Sequence, residues 1–300
     1  MSPTEKFFCT NLAWEYGVPL TGTATRGDVW FLLEYTKRWG AKAFEESSLP
    51  QEVKDNLDKS HFFGMEVRTL LIRQENTQLR EGLRFFVGIT HPLKPHLYAF
   101  TLEDYPDLLH IDLTSLIAGN SDYSPYLRKK PLYLVCTNGK RDQCCSIYGP
   151  EIFQAMREEV GQSVWQSSHI GGHNQSPITL FFPHGVNYGH TTASEIRRLI
   201  QAYKQKKVVL HNYRGRVCFE QPVQAAEHFW REQFGNLELP GVQVESIAKI
   251  AENEWQITVS DTEGKNKVQM RIQRRFSDFE IPITCTKKKS ARISSFHRVA

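Results

Sequence analysis

Pro131-Leu132-Tyr133-Leu134-Val135-Cys136-Thr137-Asn138-Gly139-Lys140-Arg141-Asp142-Gln143-Cys144-Cys145 opens on an apolar run and closes on a pair of cysteines. It is answered by Val164-Trp165-Gln166-Ser167-Ser168-His169-Ile170-Gly171-Gly172-His173. Each run is short enough for a buried strand, and each delivers a candidate ligand at its end. Between them, Pro150 suits the first turn of a helix running to about Val160, with Ile152, Phe153, Met156 and Val160 on one face. Ile178–Pro183 and Gly185–His190 read as a hairpin turning at His184-Gly185. Ala193–Gln205 follows as an amphipathic helix through Ile196, Leu199, Ile200 and Tyr203. Strand, helix, strand, hairpin, helix is the order of an α/β thioredoxin-like unit, with a mixed sheet flanked by helices.

Working outward, the upstream segment predicts strands at Asp28–Tyr35, Val67–Arg73, Arg84–Gly88 and His96–Leu102. It also predicts a helix-favouring stretch from Ala41 to about Lys59, interrupted by Pro50, and a short helix near Leu113–Ala118. Its order resembles that of the middle unit without the Cys/His set, so a degenerate copy is one reading and coincidence the other. Gly119–Pro125 is rich in turn formers and marks a boundary. Downstream, Val208–Arg216 reads as a strand entering a turn and Pro222–Phe234 as a helix. Val242–Ile250 with Trp255–Ser260 makes a hairpin, and Lys267–Gln273 one more strand. The expected organisation is an N-terminal α/β domain over 1–125, a thioredoxin-like domain over 126–206 and a small α+β module over 207–300.

A formal net charge of +4 over 300 residues gives no basic arm of the kind nucleic acid demands. The dense basic run, Lys287-Lys288-Lys289 with Arg292 and Arg298, reads as a solvated tail. No apolar run reaches membrane-span length and the first residues lack a signal-peptide core, so a cytoplasmic location without a membrane partner is expected. In a reducing compartment six cysteines are better read as ligands or small buried hydrophobes than as disulfides. Cys9, Cys218 and Cys285 have no ligand-like sequence neighbours and are expected to be structural.

Thiolates with imidazoles suit zinc or an iron–sulfur centre and argue against magnesium and calcium, which want oxygen. The C-x8-C spacing of Cys136 and Cys145 exceeds the two to four residues usual between zinc-finger cysteines. His169 and His173 straddle a diglycine that disfavours a helix interior. Iron–sulfur ligand spacings are wider, and glycines would let backbone approach inorganic sulfur closely. Spacing leaves a [2Fe–2S] centre, zinc and no metal all open. Several nearby residues admit a bland reading. His184 and His190 read as surface or hairpin histidines and Trp165 as core. Ser167 and Ser168 could donate hydrogen bonds near the site. Lys140 and Arg141 fit a solvated loop as well as charge compensation.

The run from Cys136 to Cys145 followed by Val164–His173 resembles the signature of the sucrase/ferredoxin-like family. The likeness extends to Gly22-Thr23-Ala24, Val29–Glu34, Gly185–Gly189 and Arg214-Gly215-Arg216. The resemblance implies a thioredoxin-fold ferredoxin carrying a [2Fe–2S] cluster on two cysteines and two histidines. The family's ligands fall on Cys136, Cys145, His169 and His173, with Cys144 the second choice for the second cysteine. The expected function is therefore an electron carrier working with a redox partner protein. Histidine ligation would raise its potential toward roughly −150 to +300 mV, against about −400 mV for plant-type ferredoxins. A zinc-stabilised interaction module and a thiol–disulfide oxidoreductase are the alternatives, although the Cys-x-x-Cys of the latter is missing. Sugar hydrolysis, suggested by half of the family name, would need a pair of carboxyl groups that no constellation here singles out.

Overall fold

The computed structural model describes residues 8–62, 64–75, 81–285 and 290–299. A short helix, α1 (Cys9–Glu15), precedes β1 (Val29–Glu34), all six of whose side chains are buried. The helix-favouring stretch that follows is mostly turns, and only α2 (Gln51–Asn56) is helical. Pro50 explains the shortfall, because it disfavours helix in the residue before it and starts a new helix after it. Then come β2 (Val67–Arg73), β3 (Leu83–Ile89), β4 (His96–Leu102) and a small helix α3 (Leu113–Ile117).

The middle of the chain gives β5 (Leu132–Cys136), α4 (Gln143–Val160) and β6 (Val164–Ser167). These lead into the hairpin β7 (Thr179–Phe182) and β8 (Val186–Tyr188), then α5 (Ile196–Lys204). Helix α4 begins well before Pro150, which sits exposed inside it. The start signal is Asp142, whose carboxylate accepts the Cys144 N–H at 3.0 Å as an N-cap. Cys144 and Cys145 therefore lie in a first helical turn and not in a loop.

One nine-stranded sheet runs in the order β4-β3-β1-β2-β6-β5-β7-β8-β9, where β9 is Tyr213–Arg216. Within it, β1 is parallel to β2, antiparallel to β3, and β3 is antiparallel to β4. The same relations hold for β5 with β6, β5 with β7, and β7 with β8. Both halves thus share the thioredoxin-like strand order that a copied unit would have. They meet where β2 and β6 pair antiparallel through Ile72↔Ser167 and Arg73↔Gln166. Ser168 reinforces this seam, its hydroxyl accepting the Leu71 N–H at 3.0 Å while its own N–H donates to the Leu71 carbonyl at 2.8 Å. Because the overlap lies at the C-terminal ends of β2 and β6, the loops leaving the parallel strands of both halves converge there.

Alternation along β1 divides the core. Phe31 and Leu33 pack with Phe85, Val87 and Val53, whereas Trp30 and Leu32 pack with Phe86, Leu134, Trp165 and Phe182. The second group crosses the seam and reaches Cys136 and Cys145. On the other face of β5, Tyr133 and Val135 lie beneath α4 and α5.

Helix α6 (Gln221–Phe234) joins the large sheet to a four-stranded antiparallel meander: β10 (Gln243–Ala251), β11 (Glu254–Ser260), β12 (Val268–Pro282) and β13 (Ser290–Val299). The expectation of a solvated tail is corrected here. Residues 290–299 form a strand with Phe296 buried, while Arg292 and Arg298 bond to Ser277 and Gln233; Lys287-Lys288-Lys289 lie outside the described residues. At the junction, fully buried Glu227 receives Arg216 at 2.7 Å, Arg231 at 3.0 Å and the Tyr213 hydroxyl at 3.0 Å. Among the described residues no helix is long and apolar enough to cross a membrane.

Candidate metal centre

Cys136 ends β5, Cys145 lies in the first turn of α4, and His169 follows β6, so one strand–helix–strand unit delivers three ligand types to one point. Their ligand atoms all lie within 4.8 Å of one another. The His169 Nδ1 stands 3.8 Å from the Cys136 sulfur and 4.0 Å from that of Cys145. Both sulfurs are fully buried, whereas His169 is half-buried. Close approach of α4 to the end of β5 requires Gly149, since a Cβ there would stand 2.3 Å from the Cys136 carbonyl oxygen.

The two thiols titrate as a pair. A hydrogen bond from Cys145 holds Cys136 well below the ordinary thiol range, and His169 assists against the opposing effect of burial. Cys145 is pushed well above that range, because it supplies that proton and is itself buried. The pair thus ionises unequally, Cys136 being the thiol that gives up its proton more readily.

Arg214 on β9 is a contributor that the sequence reading passed over. It is buried, and its guanidinium donates to the Thr23 hydroxyl at 3.1 Å, the Gly171 carbonyl at 3.1 Å and the Thr23 carbonyl. Burial pulls its pKa down to about 9 and the charge on Cys136 works the other way, so it remains a cation at neutral pH. Gly171-Gly172 also make room for this arginine. The residues have φ of +117° and +79°, and side chains there would meet Thr25 and Arg214 at 2.1 and 2.4 Å. The close approach they permit is that of the protein's own side chains.

His173 opens a short turn, His173–Gln175, but its side chain lies outside the described residues. His190 fastens that turn. Its N–H donates to the Gln175 carbonyl at 2.8 Å, and its Nε2 donates to the Asn174 carbonyl at 3.2 Å. Burial lowers the His190 pKa to about 4, so the ring is neutral and can make that bond with one tautomer. His184 is likewise lowered to about 4 by burial and lies 2.9 Å from the Tyr203 hydroxyl. His184 is thus a half-buried hairpin histidine, as expected, whereas His190 is buried and not on the surface.

Cys144, the second-choice ligand, joins a different group. Its sulfur is 3.5 Å from that of Cys9 and 3.2 Å from that of Cys285, so two cysteines without ligand-like neighbours in sequence acquire them in space. Cys218 is buried among Phe219, Val223 and Trp230, as a structural cysteine. Trp165 packs edge-on against Phe86 in the core. The Ser167 hydroxyl bonds to the Val135 carbonyl, so both serines serve the sheet. Lys140 and Arg141 are exposed, and Arg141 shares the wall of an open cleft of about 480 Å³ with Lys42, Arg68 and His169.

Strand order and donor set together define a thioredoxin-like unit carrying two buried thiols and a half-buried imidazole that could hold a metal. Residues 20–215 match the sucrase/ferredoxin-like family model, and the chain belongs to that family. Among curated proteins it resembles altered inheritance of mitochondria protein 32 of Eremothecium gossypii, 31% identical over 29% of this chain and 33% of that protein. The counterpart from Meyerozyma guilliermondii is 30% identical over 29% and 34%. The chain thus spans about a third of the length of these relatives. Among solved structures it is similar to two cysteine-to-serine variants of the thioredoxin-like [2Fe–2S] ferredoxin from Aquifex aeolicus. Those are 18% and 17% identical, each covering 28% of this chain and 97% of the ferredoxin, with a TM-score of 0.25.

Proposed function

We propose that this protein is a one-electron carrier holding a [2Fe–2S] cluster on Cys136, Cys145, His169 and His173. The observation that carries the reading is the convergence of Cys136, Cys145 and His169 within 4.8 Å, two of them buried sulfurs and the third a half-buried imidazole. The donor set fits the group, since soft thiolates and imidazole are what iron–sulfur centres take. Bound there, the cluster would supply reversible one-electron transfer. The chain's residues do the rest. The apolar core around Cys136 and Cys145 excludes water from the sulfurs, and Arg214 places a buried positive charge beside thiolates that would otherwise be unbalanced. His169 reaches the cleft and is the route by which a partner comes nearest. Lys42, Arg68 and Arg141 share that wall with Glu45 and Asp58, so the cleft offers a redox partner protein charges of both signs, and a cytoplasmic location suits the free thiols.

Anaerobic purification followed by iron, acid-labile sulfide and EPR measurements tests this. About two irons and two sulfides per chain with a signal in the reduced form are expected. A colourless protein holding zinc at Cys136 and Cys145 would establish the interaction-module reading instead.

A further inference from the structure

The group formed by Cys9, Cys144 and Cys285 with Asp142 belongs to no part of the site just described. Three sulfurs, two from opposite ends of the chain and one from its middle, form a triangle with sides of 3.5, 3.2 and 3.5 Å. An Asp142 carboxylate oxygen lies 3.9 Å from the Cys9 sulfur, and all four ligand atoms fall within 4.8 Å of one another. Cys9, Cys144 and Asp142 are buried and Cys285 is partly so. Thiolates at about 2.3 Å from a tetrahedral zinc stand about 3.8 Å apart, so the triangle needs only slight widening to hold a single ion. It is too tight for four irons to be bridged among its corners, and the distances are far from the roughly 2.05 Å of a disulfide.

We infer that Cys9, Cys144, Cys285 and Asp142 form a closed structural site for one zinc ion. The charge of three thiolates and a carboxylate equals that of the common four-cysteine zinc site. Donors to share that charge are already in place. The Cys9 N–H points to the Cys285 sulfur at 3.3 Å, and the Cys285 and Cys144 N–H groups hold Asp142 at 2.9 and 3.0 Å. The start of α4 adds the positive end of an 18-residue helix. Because Cys9 is in α1 and Cys285 follows β12, the ion would tie both terminal segments to the helix turn that carries Cys145. Cys144 and Cys145, adjacent in sequence, thus serve separate centres.

Elemental analysis of the full-length protein tests the site independently of the [2Fe–2S] reading, because zinc is counted apart from iron and sulfide. About one zinc per chain is expected, and Cys9→Ser or Cys285→Ser should lower it at least about fivefold while leaving iron unchanged. Zinc absent from wild-type protein, or retained in both variants, overturns the proposal. A second measurement needs no variant. Alkylation of Cys9 and Cys285 in wild-type protein, followed by peptide mapping, should proceed in step with zinc release to a chromogenic chelator. Alkylation without release, or recovery of a Cys9–Cys285 disulfide from freshly purified protein, would equally overturn it.

Discussion

Replacing Gly172 by alanine should damage the candidate centre without touching a ligand, and Gly235→Ala supplies the matched control. Both glycines have left-handed backbone, φ +79° and +63°. At Gly235, just past the end of α6, a Cβ meets nothing within 4 Å, so only the conformational penalty applies, about 1–2 kcal/mol. At Gly172 the same penalty is joined by contact at 2.4 Å with an Arg214 guanidinium nitrogen and at 2.9 Å with Gln175. Arg214 cannot retreat freely, because it is buried and fixed by Thr23 and Gly171. Losing one or two of these charged hydrogen bonds adds about 1.5–3 kcal/mol each. Gly172→Ala should therefore lose about 2.5–8 kcal/mol in denaturant titration. It should also be purified with less iron per chain, whereas Gly235→Ala should lose about 1–2 kcal/mol and keep its iron. Equal stability losses with equal iron contents in the two variants would refute the argument that Arg214 and the diglycine brace the centre.

Visible absorbance should vanish in Cys136→Ser and Cys145→Ser and persist in Cys144→Ser; loss in the last with retention in Cys145→Ser would exchange their roles. Glu227→Gln should leave two buried guanidinium groups without their counter-charge and cost about 3–5 kcal/mol in denaturant titration, a large effect for an isosteric change far from any ligand. Burial opposes ionisation of Glu227 but Arg216 and Arg231 prevail and lower its pKa, so its contribution is complete above its unfolded value of 4.5 and is lost as pH falls through the lower folded value. His184 and His190 bind protons at pH 6.5 when unfolded but only near 4 when folded, so metal-free protein should lose on the order of 3 kcal/mol for each as pH falls across that window. Thermal melts should fall over the same range, and His190→Asn should shallow the slope. Finally, a redox potential that falls by about 59 mV per pH unit over part of the range would mark histidine ligation, and a flat titration would count against it.

The strand order of the middle unit was legible because each strand is a short apolar run closed by a turn former, and local pattern suffices for that. Cys136 and His169 were legible for a related reason, since each ends or follows such a run, whereas Cys145 was chosen over Cys144 on the family resemblance. Helix α4 was misjudged because Pro150 is a strong local signal, whereas Asp142 caps an earlier start with a bond visible only in three dimensions. Cys9 and Cys285 escaped notice because 276 residues separate them, and no local pattern announces contacts of that range. Arg214 was hidden by its type, as arginine in a strand next to glycine reads as surface until the structure buries it. The last strand was masked by its charge. Arg292 and Arg298 suggested a tail, and only pairing with β12 brings Phe296 inward.

The seam between β2 and β6 also fixes how labour is divided between the two halves of the large sheet. Because the parallel strands of each half end at the seam, the loop after β1 and the loop after β5 come to the same place. Arg38 and Trp39 share a cleft wall there with Thr137 and Asn138, and the Asn138 side chain donates to the Gly40 carbonyl at 3.1 Å. One loop is bound by the chemistry of Cys136 and Cys145. Its counterpart carries none of these ligands and presents Arg38 and Trp39 to the cleft, where Arg73 from the end of β2 stacks 4.3 Å over the Trp39 ring. Substitutions in that counterpart can therefore retune what approaches the centre while leaving its donors untouched. The residues that line the approach and those that form the candidate centre can in this way diverge separately within a single continuous sheet.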